Sequence, residues 1–140
     1  MRTPDQHSQV EKPAYAVPTM EEVKAVPSNG RTVVSTFSGC GGSCLGFRMA
    51  GFTTLWANEF VPAAAEVYAL NHPGVILDRR DIREVQPAEI LLPIGKDVGA
   101  VDVMEGSPPC AAFAMAGKRE TEWGKVRPYS DVEQRVDDLL

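Results

Sequence analysis

Cys110 follows Pro108 and Pro109 in the run GSPPCAAF, directly beyond the apolar stretch VDVME. Each proline ring locks φ, so the pair stiffens the backbone that presents the thiol. A buried cysteine ordinarily behaves as a small hydrophobe. A cysteine on a turn beyond a strand, ahead of a helix, has instead a setting that lowers a thiol pKa and makes a nucleophile. A cysteine hydrolase would need a histidine base, and neither His7 nor His72 stands near Cys110 in the sequence.

A second constellation is FSGCGGSCLGF, from Phe37 to Phe47, with Gly39, Gly41 and Gly42 between a β-branched run and a helical one. Glycines there let the backbone turn sharply and approach a ligand closely. The dinucleotide pattern G-x-G-x-x-G fails because Cys44 takes its last position, and no Gly-Lys-Ser/Thr follows to make a P-loop. Glu59 stands roughly 20 residues beyond the glycines, where a carboxylate accepts from ribose hydroxyls. Asp81, in RRDI, is expected to close the third strand, where it would accept from an adenine amino group. Together these features describe a site for an adenine nucleoside, with no lysine dedicated to phosphate.

A metal centre is not expected. Cys40 and Cys44 have the spacing that opens an iron–sulfur motif of radical enzymes, but Phe47 stands where its third cysteine belongs. His7 and His72 lie far from either cysteine and read as polar surface residues. An odd cysteine count of 3 argues against a disulfide framework.

The elements that must position these groups alternate. RTVVSTF is a strand, SCLGFRMAGF a helix with Leu45, Met49 and Phe52 at helical spacing, and TTLWANEF a second strand. VPAAAEVYALNH is a helix with Pro62 in its first turn and Val67 and Leu70 on one face. GVILDRRDI is a third strand with its exit, VQPAEILLPIG a short helix, and AVDVMEGSPP a fourth strand. SDVEQRVDDLL is expected to open a last helix, with Ser130 as N-cap and Glu133 completing a capping box. This is the pattern of a doubly wound parallel α/β sheet, in which ligands bind beyond the carboxyl ends of the strands. Residues 1–30, rich in scattered prolines and without periodicity, read as a disordered arm, with at most a helical turn from Met20 to Ala25.

The chain has 140 residues, enough for one modest domain, with 44% hydrophobic and 24% charged residues. No stretch approaches the ~20 apolar residues of a membrane span. The N-terminus lacks the apolar core of a secretory signal, so a cytoplasmic location is expected. The formal net charge of −5 argues at first against nucleic acid. GKRETEWGKVR, however, concentrates Lys118, Arg119, Lys125 and Arg127 against Glu120 and Glu122, just beyond the cysteine loop.

FSGCGGSCLGF, ANEFVPAAAEVYALNHP, DIREV and DVMEGSPPCAAFAMAGK, in that order and at those intervals, resemble the opening motifs of the DNA cytosine-5 methyltransferase family, from about Thr32 onward. The resemblance implies a Rossmann-like class I methyltransferase fold, with residues 31–140 forming the N-terminal part of the catalytic domain. It implies S-adenosylmethionine as cofactor. Phe37, Gly39, Gly41 and Gly42 would surround its methionine portion, with Ser107 also in the site. Glu59 would take the ribose hydroxyls, Phe60 would pack on the adenine, and Asp81 and Ile82 would meet its edge. Cys110 would be the nucleophile that adds to cytosine C6, the base having been flipped out of double-stranded DNA. Lys118 and Arg119 would then belong to a mobile loop that meets DNA phosphates.

The pattern departs in places. Ala111 and Ala114 stand where the family commonly has polar residues, and Val61 replaces an acid often found after the glutamate. The glutamate motif, the arginine-rich strand and the target-recognition domain have no counterpart in this sequence. An incomplete sheet, a complementing C-terminal chain and dependence on that chain for activity are the resulting expectations. A catalytically silent cofactor-binding remnant and a related transfer-RNA enzyme are the alternatives.

Overall fold

A computed structural model of the chain describes residues 16–108 and the strands at 126–129 and 132–135. The order is α1 (Met20–Ala25), β1 (Thr32–Thr36), α2 (Gly42–Met49), β2 (Thr53–Asn58), α3 (Pro62–Asn71), β3 (Ile76–Asp78), a 3₁₀ turn (Ile82–Glu84), α4 (Pro87–Leu91) and β4 (Val103–Gly106). After these come β5 (Val126–Tyr129) and β6 (Val132–Arg135).

The sheet order is β3-β2-β1-β4, and all three pairings are parallel. β1 is central and buried along its whole length, as a strand covered on both faces must be. Side chains alternate across the sheet, so neighbouring residues serve different cores. Trp56 packs with Val34 and Val85 on one face, where Ile82, Ile90, Ile94 and Val101 complete the cluster. Ala57 turns to the other face and meets Cys44 of α2 and Tyr68 of α3, flanked by Val75 and Leu77. At the amino end, Asp102 Oδ2 accepts from both the amide and the hydroxyl of Thr32, each at 2.8 Å, which ties the entry of β4 to that of β1. Among the described residues no helix is long and apolar enough to cross a membrane.

The chain passes from β1 outward to β2 and β3, then crosses back to put β4 on the opposite side of β1. Such a reversal opens a crevice between the carboxyl ends of the two strands that flank it. Register fixes the exit, since Thr36 pairs with Gly106 at the last rung. The approach is tight enough that a Cβ on Gly106 would collide with the Thr36 hydroxyl.

Several expectations need correction. The helical turn at Met20–Ala25 is present and carries a full capping box between Thr19 and Glu22, while residues 1–15 of the expected arm lie outside the described residues. Val23 is buried, and the Arg48 guanidinium donates to the carbonyls of Val26 at 2.7 Å and Lys24 at 2.6 Å, holding α1 against α2. On α3 the buried residues are Ala65 and Tyr68; Leu70 is 81% exposed and Val67 is also exposed. The last helix is not formed across residues 132–135, where β6 pairs antiparallel with β5 and Tyr129 faces Val132. Val126, Tyr129 and Val132 favour extended backbone, and only Ser130 and Asp131 separate the strands, a hairpin spacing.

Candidate functional site

The loop after β1 is built from unusual backbone. Phe37 has φ 54°, Gly39 55° and Gly41 89°. A left-handed phenylalanine costs about 1–2 kcal/mol, a cost that the surrounding bonds must offset. They do so from three strands. The Ser38 amide donates to the Asn58 carbonyl at 3.0 Å, and the Gly41 amide returns to Ser38 O at 3.0 Å. Ser35 Oγ reaches Ser38 Oγ at 2.9 Å and donates to Glu105 Oε1 at 2.5 Å, joining the loop base to β4.

Glu59 stands directly beyond β2 and is 6% exposed. Its Oε2 accepts from the Gly39 amide and its Oε1 from the Val61 amide, both at 2.8 Å. Its own amide donates to Asp78 O at 3.1 Å, which binds it to the end of β3. A carboxylate has about four lone-pair sites. One on each oxygen therefore remains, an acceptor pair suited to two hydroxyls. Around it the backbone is open: an added Cβ on Gly39 or Gly42 would meet nothing within 4 Å.

Asp81 does not close β3, which ends at Asp78. It caps the 3₁₀ turn, and its carboxylate accepts from the Arg83 amide at 2.9 Å and from the Arg83 guanidinium through both oxygens, the shorter contact being 2.6 Å. The Arg83 side chain is the first cause that holds the Asp81 carboxyl below its usual value. The residue that does end β3, Asp78, is held low in the same way by Arg80, which also bonds Glu89 at 2.9 Å. Asn58 completes this corner by donating to the carbonyls of Asp78 at 3.2 Å and Arg80 at 2.8 Å.

Phe37, Gly39, Gly41, Gly42, Glu59 and Phe60 thus gather at the carboxyl ends of β1 and β2, with Asp81 beyond β3 and Ser107 exposed just beyond β4. Ile82 is packed against the Val34–Trp56–Val85 cluster. Cys110, Lys118 and Arg119 lie outside the described residues, although β4 ends only four positions before the cysteine.

Sequence reasoning missed His72. It is no surface histidine: its ring stacks on Tyr68 with centroids 4.6 Å apart, and Nε2 lies 3.0 Å from the Gly41 carbonyl. Burial pushes its pKa below the usual histidine value, against the pull of the Gly41 bond. Tyr68 in turn donates to Cys44 Sγ at 3.2 Å, and burial followed by that bond pushes the phenol up. The available signal was spacing, since Tyr68 and His72 are one helical turn apart.

A family model described as C-5 cytosine-specific DNA methylase matches residues 31–127. The type II methyltransferase M.AgeI of Thalassovita gelatinovora is 38% identical over 69% of this chain and 22% of its own length. M.AquIA of a Picosynechococcus strain is 36% identical over 64% of the chain and 36% of its own length. The chain therefore spans between about a fifth and somewhat over a third of these two relatives. A crystal structure described as a DNA modification methyltransferase encoded within an E. coli prophage is 33% identical over 60% of this chain and 24% of its own, with a TM-score of 0.52.

Proposed function

Since the chain belongs to the C-5 cytosine-specific DNA methylase family, we propose that it forms the S-adenosylmethionine-binding part of a DNA cytosine-5 methyltransferase. The observation that carries this reading is Glu59, buried at the end of β2 with both oxygens bonded to loop amides and one lone pair left on each.

In this reading Glu59 accepts the two ribose hydroxyls and Phe60 stacks on the adenine. The glycine loop passes close to the methionine portion because Gly39 and Gly42 put no side chain there. Asp81 meets the adenine amino group through whatever lone-pair capacity Arg83 leaves it, and Ile82 lines the adenine edge from its seat in the core cluster. Ser107 borders the crevice from β4. When bound, the cofactor supplies an electrophilic methyl group.

Cys110 follows the exit of β4 by four residues, a chain length of at most about 14 Å from the edge of the same crevice. It acts as the nucleophile, adding through sulfur to C6 of a cytosine turned out of double-stranded DNA, which makes C5 a carbon nucleophile. Lys118 and Arg119 supply cations to the phosphates nearby. The reaction takes place where chromosomal or phage DNA lies, in the cytoplasm. Methyl transfer is proposed for this chain together with a complementing C-terminal methyltransferase segment, because the relatives carry their activity over much greater lengths.

Calorimetry with S-adenosylmethionine, and NAD as the comparison, tests the cofactor assignment. Binding of the first alone, weakened at least about tenfold by Glu59→Gln, supports it. A folded chain that binds neither, or both equally, sinks it.

A further inference from the structure

His72 ends α3, and its backbone amide closes that helix on the Tyr68 carbonyl at 2.9 Å. Its side chain does something unrelated to the helix. A carbonyl oxygen can only accept, so the 3.0 Å contact makes Nε2 the donor and Gly41 O the acceptor. That oxygen also accepts the Leu45 amide at 2.9 Å, the first backbone bond of α2. Both lone pairs of the residue preceding α2 are therefore used, one by its own helix and one by a ring from 31 positions away. Gly41 and His72 also approach so closely that a Cβ on Gly41 would collide with the imidazole. Tyr68 supports the ring from beneath, and Cys44 supports Tyr68 from α2 itself.

We infer that His72 is a positioning residue for the glycine loop, and that its Nε2–H bond to the Gly41 carbonyl sets the loop conformation which the cofactor requires. This rests on the cofactor reading above. The loop carries left-handed conformations at alternate residues, Phe37, Gly39 and Gly41; that at Phe37 is strained, and the two glycines leave the backbone free to take other conformations unless it is held. Glu59 fixes Gly39 from β2, and His72 fixes Gly41 from α3. The segment between them is Cys40 alone, which is exposed. The loop is thus clamped on each side of one residue by side chains from different elements.

Two variants separate the donor from the ring. His72→Phe keeps the stacking on Tyr68 and loses the donor, whereas His72→Gln loses the stacking and keeps a donor. Amide hydrogen exchange of the ligand-free chain is read at Gly41 and Leu45, whose amides bond to Ser38 O and Gly41 O, and cofactor affinity is read by calorimetry. The expected result is faster exchange at both amides and about three- to tenfold weaker binding in His72→Phe, with His72→Gln nearer the parent in both, the size of one hydrogen bond. Equal exchange in all three chains overturns the inference whether or not the cofactor binds. Exchange that follows overall stability rather than the donor also overturns it. A parent chain with the expected exchange pattern but no cofactor binding upholds the clamp and sinks the cofactor reading instead.

Discussion

The Glu59 carboxylate and the Gly39 amide, 20 positions apart, meet at 2.8 Å, so the residue beyond β2 holds the loop beyond β1. The same carboxylate holds the Val61 amide ahead of α3. The ligand recognition proposed for Glu59 and the geometry of the loop therefore share one side chain. Glu59→Gln puts an amide NH₂ against one of these N–H groups and leaves it without an acceptor. Urea unfolding is expected to show a loss of about 1–3 kcal/mol. A variant as stable as the parent would show that the loop does not depend on this brace.

Gly41 has φ 89°, and a side chain there would strike the His72 ring. Gly41→Ala should cost at least the 1–2 kcal/mol of a left-handed alanine. Removing the ring should return part of any excess, so Gly41→Ala with His72→Ala is expected to be less destabilised than the sum of the single changes. Strict additivity in thermal melts would argue against the contact.

Because burial depresses the pKa of His72, the unfolded chain takes up this proton first as the pH falls. The stabilising contribution of the neutral ring is complete above the unfolded value of about 6.5 and declines as the pH drops toward the folded value. Asp78 and Asp81 are also depressed, but their contributions are lost only on acidification below about pH 4. The melting midpoint should accordingly fall between about pH 7.5 and 5.5 in the parent and less in His72→Gln. Parallel curves for the two chains would contradict a half-buried ring that takes up a proton less readily than in the unfolded chain.

Arg48 holds α1 by two carbonyls. Arg48→Ala should release residues 16–30 to limited proteolysis and cost about 1–2 kcal/mol, while Val23→Ala should act in the same direction through lost packing. Unchanged cleavage in both variants would mean that α1 is held by other contacts.

Much of this architecture is legible in one dimension. β-branched runs separated by helical spacing mark β1 to β4, and Pro62 and the glycine cluster mark where α3 and α2 begin. The place of Glu59 was legible, because an acid just past a strand and a fixed interval beyond the glycines lands at the carboxyl edge of the sheet. The place of Asp81 was misread: the sequence put it at the end of β3, whereas β3 ends at Asp78 and Asp81 caps the following 3₁₀ turn, bonded to Arg83 two residues later. The faces of α3 were also beyond reach. Val67 and Leu70 are more apolar than Ala65, yet the smaller residue and Tyr68 face the sheet.

The amino-acid sequence by itself determined the alternation of strands and helices, the glycine loop and the acid beyond β2. Those features depend on residues near one another along the chain, whose backbone preferences and periodicity act locally. Only the tertiary structure decided that His72 grips Gly41, that Arg48 anchors α1 and that Ser35 links the loop base to Glu105. Each of those contacts joins segments brought together by sheet order and helix packing. Periodicity carries no record of which distant polar group a side chain will meet, because that pairing is set by how the elements pack and not by the neighbours along the chain.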